Sequence, residues 1–363
     1  MRPLDGIRVV DVTASLAGPT AAQILGALGA EVVKVEPPEG DHARAWGPPF
    51  IDGMGALFFA ANAGKRSVVL DLAADREALL ELVDGADVLV LSLRPGLAET
   101  RGLDAETLRA RNPRLIHCTI GAYGSGGPLS DRPGYDPLMQ AAAGVMSVTG
   151  EPDGPPVRVG VSLIDFATGQ WAAIGILAAL LERAGDARGR AIDTSLYETA
   201  LYAMSSHIAT YAASGDVPGR HGTAFPLIAP YELFPTSDGA VMISAGSDAL
   251  WTRLRGALEL PDDERFRTNP DRVRNRVALV EVIASVLQTG TSAEWEERLT
   301  EAGVPVSPVR DVGEVVAHAQ TEALGILQRL GSGTTVALPL RFDGERPRYS
   351  GPPPELGGHG AAR

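Results

Sequence analysis

The stretch IRVVDVTASLAGPTAAQILGALGAEVVKVE, residues 7–36, decides the fold class of this chain. Its first six residues, IRVVDV, are a short β-branched run that predicts a strand. PTAAQILGALGA (19–30) has helical spacing, with Pro19 suited to the first helical position and Gly29 to the C-terminal cap. EVVKVE (31–36) predicts a second strand. Two strands joined by a helix of this length indicate a parallel βαβ unit.

The same alternation continues through the first half of the chain. Strands are predicted at SVVLDL (67–72), DVLVLSL (87–93) and LIHCTIGAY (115–123), and DREALLELVDGA (75–86) predicts a helix. We therefore expect an α/β fold with a Rossmann-like domain built on a parallel sheet.

The pattern changes after a stretch rich in Gly, Pro and polar residues at 212–226, which indicates a linker. YELFPTSDGAVMISAGSD (231–248) is typical of a hairpin with SDG at its turn. Helical patterns then fill 249–258, 271–288 and 292–302. These elements predict a smaller α+β domain.

Composition excludes several classes of protein. The chain has 363 residues, a formal net charge of −13 and one cysteine. We expect no nucleic acid or membrane partner, because nucleic acids and anionic membranes both bind basic surfaces. Cys118 alone can form neither an internal disulfide nor a cysteine-based metal site. No signal peptide fits the first residues, and the apolar run at 171–181 is too short to span a bilayer, so we expect a cytoplasmic protein.

Motifs for common cofactors are missing. TASLAGPTAAQ, after the first strand, lacks the G-x-G-x-x-G pattern of dinucleotide sites. Glu36 nevertheless ends the second strand, where an acid would bind a ribose, so a nicotinamide-dependent dehydrogenase stays an alternative. The six histidines lack metal-ligand spacing, and Ser125 is not in a G-x-S-x-G motif. We expect neither a metal nor a tightly bound cofactor.

Basic residues flank two of the predicted strands. Lys65 and Arg66 precede one strand, and Arg94 follows another, at the end where open α/β sheets bind ligands. Taken singly, each of these three residues is consistent with an ordinary solvated side chain in a loop. As a set on an acidic protein, they indicate a phosphate-bearing ligand.

A single carboxylate interrupts the apolar stretch RVGVSLIDFATGQWAAIGILAALL, residues 158–181. Asp165 precedes a core helix predicted over Thr168–Arg183, whose positive end favours an ionised group. Burying an isolated carboxylate costs several kcal/mol, so Asp165 is expected to have a partner or a use. A helix N-cap and a functional role both fit this position.

Several stretches, in the same order along nearly the whole chain, resemble the family III CoA-transferases, the CaiB/BaiF group. They include the opening LDGIRVVDVTASLAGPTAAQ, NAGKRSVVLDL, DVLVLSLRPG, VGVSLIDFATGQWAAIGILAAL, DTSLYETAL and AGVPVSPVRDVGEV. The resemblance implies a large Rossmann-like CoA-binding domain from both chain ends (1–210 and 326–363), a linker (211–226) and a small domain (227–325). It also implies a homodimer of two interlocked ring-shaped protomers.

The resemblance further implies that Asp165 is the catalytic nucleophile of an acyl-CoA:carboxylate CoA-transferase. The substrates would be an acyl-CoA and a small carboxylic acid, exchanged through an aspartyl mixed anhydride and an aspartyl-CoA thioester. The residues implied for the CoA site are Leu16, Ala17, Gly18, Asn62, Lys65, Arg66, Arg94 and Tyr123.

One branch with the same fold, the α-methylacyl-CoA racemases, stays an alternative. That branch carries a His-Asp pair where this chain has Tyr135 and Asp136. Tyrosine is a poor base at neutral pH, so we prefer the transferase.

Overall fold

The computed structural model describes residues 2–94 and 96–360. The chain divides into two compact units. The first unit comprises residues 1–145, 158–216 and 320–363, and the second comprises 146–157 and 217–319.

These units differ from the predicted domains in three places. Residues 320–325 belong to the first unit, although they were predicted in the small domain. Residues 146–157 belong to the second unit, although they lie within the range predicted for the large domain. The predicted linker starts inside a helix, because Ser205–Ser214 stays helical until Gly215 takes a left-handed φ of 77° and caps it. The domain boundaries themselves stay predictions.

The secondary-structure elements are numbered in chain order. The strands are β1 (Arg8–Val12), β2 (Glu31–Glu36), β3 (Phe50–Ile51), β4 (Met54–Gly55), β5 (Arg66–Val69), β6 (Val88–Leu91), β7 (Ile116–Gly121), β8 (Ala191–Ser195), β9 (Tyr231–Pro235), β10 (Ala240–Ser244), β11 (Val306–Pro308), β12 (Leu327–Leu330) and β13 (Gly333–Val336). The helices are α1 (Ala17–Ala27), α2 (Ala56–Ala61), α3 (Arg76–Asp84), α4 (Leu97–Thr100), α5 (Ala105–Arg111), α6 (Asp136–Ala142), α7 (Leu163–Asp186), α8 (Leu196–Ala203), α9 (Ser205–Ser214), α10 (Asp248–Ala257), α11 (Asn269–Arg274), α12 (Arg276–Leu287), α13 (Ser292–Glu301), α14 (Val312–Ala317) and α15 (Ala319–Leu324).

Within the described residues, the first unit is built on a six-stranded sheet of order β5-β2-β1-β6-β7-β8, parallel throughout. The predicted α/β class is therefore confirmed. Strand β6 is buried over its whole length, as expected for a central strand covered on both faces. Val88 and Val90 pack in the layer of α1 and α7, whereas Leu89 and Leu91 pack in the layer of α3 and α5.

Helix α7 starts five residues before the predicted Thr168, so that Asp165 lies inside its first turn. Contrary to the expectation from 171–181, the helix is long and apolar enough, by length and composition alone, to cross a membrane. One such helix is weak evidence for a membrane span, because core helices pass the same test. Here Ala172 and Ile176 are fully buried in the layer shared with α1.

The second unit contains a three-stranded antiparallel sheet of order β11-β10-β9. The predicted hairpin is present, with Tyr231 opposite Ser244. Phe234, Val241 and Ile243 are fully buried in a core shared with α10, α12 and α13.

Candidate active site

A cavity of about 300 Å³ opens in the first unit at the carboxyl ends of the parallel strands. Strand β1 lies between β2 and β6, so the connections after β1 and β6 leave the sheet toward opposite faces. Such a switch point leaves a crevice in which open α/β sheets bind ligands. Its charged, imidazole and hydroxyl side chains come from Ser15, His42, Ser92, Arg94, Arg132, Tyr135 and Asp165.

Asp165 lines this cavity from the first turn of α7 and is half-buried. Its carboxylate has no hydrogen bond or ion pair with a side chain or backbone group in 2–94 or 96–360. Burial raises the pKa of Asp165 from its ordinary 3.8 to about 7, and the nearby Asp136 adds to the increase. Asp165 is therefore a poorly solvated carboxyl that stays free to react.

Asp136, not Asp165, satisfies the start of α7. Its Oδ2 accepts hydrogen bonds from the backbone N–H groups of Ile164 (2.8 Å) and Asp165 (3.3 Å). Gln140 donates to the other oxygen, Oδ1, at 2.6 Å. The N-cap alternative for Asp165 is therefore wrong, because a carboxylate 29 residues earlier does that work.

Close packing of α1 against α7 holds Asp165 beside the loop after β1. At Gly169, a Cβ atom would lie 2.6 Å from the carbonyl oxygen of Ala17. At Gly18, a Cβ atom would lie 2.3 Å from the Thr13 side chain. Both contacts are too short for any side chain, so glycine is required for this approach. Ala17 and Gly18, two of the residues predicted to contact CoA, line the cavity.

Two of the predicted CoA contacts lie in the interior. Lys65 is buried and donates to Asp11 (2.8 Å), the Asn62 side chain (2.8 Å) and the carbonyl of Pro19 (2.9 Å). Asn62 is fully buried and also donates to the Phe58 carbonyl. Neither side chain lines the cavity, and Lys65 contacts the start of α1 through the Pro19 carbonyl.

Burial and neighbouring charges act in opposite directions on the pKa values of this pair. Burial lowers the pKa of Lys65 to about 8, although Asp11 opposes that change. Burial would raise the pKa of Asp11, but the charges of Lys65 and Lys34 bring it below its ordinary value. The pair therefore stabilises the fold only while both members are present.

The remaining predicted CoA residues lie in different places. Arg66 starts β5, at the amino end of the sheet, and pairs with Glu31 at 2.7 Å. Leu16 is buried at the N-cap of α1, and Tyr123 packs against Tyr197 outside the cavity lining. Arg94 lines the cavity as an exposed cation, together with Arg132, which was not predicted.

A serine–histidine pair in the cavity also escaped prediction. Ser15 Oγ and His42 Nε2 are 2.7 Å apart, and both residues line the cavity. Ser15 has a φ of 69°, a left-handed conformation that is uncommon outside glycine. Local sequence gives no signal for this pair, because its members are 27 residues apart.

The family model described as CoA-transferase family III matches residues 4–360. The chain is 39% identical to the succinate–glutarate CoA-transferase of Agrobacterium fabrum, covering 99% of this chain and 94% of that protein. It is 38% identical to the acetyl-CoA:oxalate CoA-transferase of Acetobacter aceti, with the same coverage of 99% and 94%. A CAIB/BAIF family protein from Brucella suis has a similar structure, with a TM-score of 0.91, 39% identity, and 99% and 97% of the two chains covered.

Proposed function

The chain belongs to the family III CoA-transferases, and on that premise we propose that it transfers CoA between carboxylic acids through covalent intermediates on Asp165. The observation that carries the proposal is the state of Asp165. Its carboxyl lies in a cavity at the switch point of the sheet, poorly solvated and without a protein partner in the described parts of the chain. A weakly solvated carboxylate is a better nucleophile than one held by ion pairs.

The proposed reaction begins when a carboxylate oxygen of Asp165 attacks the thioester carbonyl of the donor. The carbon–sulfur bond breaks, CoA leaves as its thiolate, and a mixed anhydride remains. The thiolate then attacks the Asp165 carbonyl carbon, which releases the donor acid as a carboxylate and leaves an aspartyl-CoA thioester. The acceptor carboxylate repeats the two steps in reverse and regenerates Asp165. No net proton is transferred.

Exclusion of water matters in this sequence, because both intermediates hydrolyse readily. The burial that raises the pKa of Asp165 is the same property that keeps water scarce around it. Only the ionised form attacks, so the rate should increase with pH, reach half of its plateau near pH 7 and level off at higher pH.

We propose small dicarboxylic acids as the substrates. Relatives that match at 33–39% identity are named as transferases for succinate and glutarate, and a related enzyme is named for mesaconate. Arg94, Arg132 and His42 line the cavity, which makes it suited to anions despite the acidic net charge. For CoA itself, Ala17, Gly18 and Arg94 are the predicted contacts that this cavity supports.

The interlocked homodimer and the cytoplasmic location remain proposals. An apolar face of α7 supports the dimer, because Phe166, Ile174 and Leu181 are 41%, 52% and 79% exposed. A second copy covering this face would remove these side chains from water. Light scattering on the native chain and on Ile174→Lys would test the proposed dimer. We expect a dimer from the native chain and a weakened dimer from the variant, and a monomeric native chain would contradict the proposal.

A CoA-exchange assay tests the proposed activity. The enzyme is mixed with succinyl-CoA and glutarate, and the thioesters are identified by mass spectrometry. We expect glutaryl-CoA from the native chain, none from Asp165→Ala, and normal amounts from the control Asp216→Asn, which changes an exposed aspartate outside the cavity. Equal exchange by Asp165→Ala would reject Asp165 as the nucleophile.

A further inference from the structure

One buried carboxylate, that of Asp41, binds the backbone at Ser15 and next to His42. Asp41 Oδ1 accepts the backbone N–H of Ser15 at 3.2 Å and that of Ala43 at 2.9 Å. Asp41 Oδ2 pairs with the buried Lys34 at 2.9 Å. The backbone at Ser15 and the backbone directly after His42 are therefore bound to the same carboxylate. The side chains of Ser15 and His42 line the cavity.

The backbone conformation of Ser15 is a second indication that its side chain is positioned for a function. A non-glycine residue in the left-handed region costs about 1 to 3 kcal/mol, and such strain concentrates at sites where a side chain must be aimed. Glycine would fit this backbone without strain, yet the chain places a hydroxyl there. That hydroxyl contacts only the His42 ring among the side chains described in 2–94 and 96–360.

The other cations of the cavity differ from this pair. Arg94 and Arg132 are exposed, and the described residues offer neither guanidinium an ion pair. Exposed cations without an ion pair in the described residues suit the phosphates of CoA. A short acyl chain next to Asp165 instead needs donors at a fixed position.

From this arrangement we propose that Ser15 and His42 form a subsite for the distal carboxylate of a dicarboxylic acyl group. The proposal rests on the proposed function and assigns residues to its substrate class. With a proton on Nε2, His42 donates to Ser15 Oγ and leaves the serine O–H free to donate to the distal carboxylate. A protonated ring would add a positive charge.

A competition assay tests the subsite. Succinyl-CoA and butyryl-CoA have acyl chains of the same length, and only the first has a distal carboxylate. Both thioesters are offered together with glutarate as acceptor, and the ratio of their consumption gives the ratio of the two kcat/KM values. This ratio does not depend on the amount of folded enzyme, so partial misfolding of a variant cannot imitate the effect.

We expect the native enzyme to prefer succinyl-CoA. Ser15→Gly, which suits the backbone, and His42→Gln should each reduce that preference about 10- to 100-fold, the size expected for a hydrogen bond to a charged group. Consumption of butyryl-CoA should change less than about 3-fold, and the double variant should lose less than the two single losses combined, because the residues act together. His221→Gln, an exposed histidine of the second unit, is the matched control.

Two results would overturn the subsite, and they are distinguishable from failure of the proposed function. An unchanged preference in both variants, with exchange intact, rejects the subsite alone. Loss of the preference in Arg132→Gln but in neither of the two variants assigns the carboxylate to that arginine and also rejects it. No exchange from either thioester by the native enzyme rejects the proposed function and the subsite with it.

Discussion

Replacing Asp165 by asparagine should make the protein more stable, increasingly so as the pH rises. Burial holds the pKa of this carboxyl at about 7 instead of 3.8, so the folded protein binds the proton more tightly than the unfolded chain. The native protein therefore loses stability between about pH 4 and pH 7, and the loss is complete above pH 7. Asparagine, which carries no charge at any of these pH values, avoids it.

The magnitude follows from the difference between the two pKa values. One pH unit corresponds to about 1.36 kcal/mol, which gives an upper limit of about 4 kcal/mol above pH 7. Asp165 is only half-buried, so solvent screening reduces this limit, and about 2 kcal/mol is a reasonable expectation. Between pH 5 and pH 8, the advantage of Asp165→Asn should grow by about 1 to 3 kcal/mol.

Urea unfolding of the native chain and of Asp165→Asn at pH 5 and pH 8, followed by circular dichroism, measures this difference. Asp216→Asn is the control, because Asp216 is exposed and should give no pH-dependent gain. Native and Asp165→Asn stabilities that change in parallel from pH 5 to pH 8 would refute the desolvation of Asp165. Asp165, the proposed nucleophile, would then be an ordinarily solvated carboxylate.

Three further changes have defined outcomes. Asp136→Asn should move the inflection of the pH–rate profile to lower pH, because it removes a negative charge that raises the pKa of Asp165, the proposed nucleophile. An unmoved inflection contradicts this. Lys65→Met should lower the free energy of unfolding in urea by about 3 to 5 kcal/mol, because it leaves Asp11 charged, buried and without its lysine partner. A stable variant with a higher KM for acyl-CoA would instead support direct binding of CoA by Lys65. Gly169→Ala should cost about 1 to 3 kcal/mol and lower kcat, since its Cβ would press on Ala17; native stability by thermal unfolding would show that the helices can separate freely.

The parallel sheet was predictable because its central strands are buried on both faces. VLVL in β6 is apolar at every position, and PTAAQILGALGA combines helical spacing with its end signals. The helix start at Leu163 was not predicted, because Asp136 supplies its cap from another part of the chain. Local sequence reveals a cap when the capping residue directly precedes its helix, as Thr291 does for α13. It does not reveal a cap from a residue that is distant in the chain.

The candidate site was predictable only in part, for a related reason. Asp165 was singled out as the only carboxylate in an apolar stretch, and the structure places it in a poorly solvated position. Lys65 looked like a free loop cation, because its partner Asp11 is 54 residues away. The Ser15–His42 contact likewise depends on the fold, which brings the loop after β1 next to the residues after β2.

The most direct test of the central claim is to trap the acyl group on Asp165. The enzyme is mixed with succinyl-CoA, quenched with hydroxylamine, digested and examined by peptide mass spectrometry. We predict a hydroxamate at Asp165 in the native chain and none in Asp165→Ala. CoA exchange that proceeds while Asp165 stays unmodified would contradict covalent catalysis by this residue.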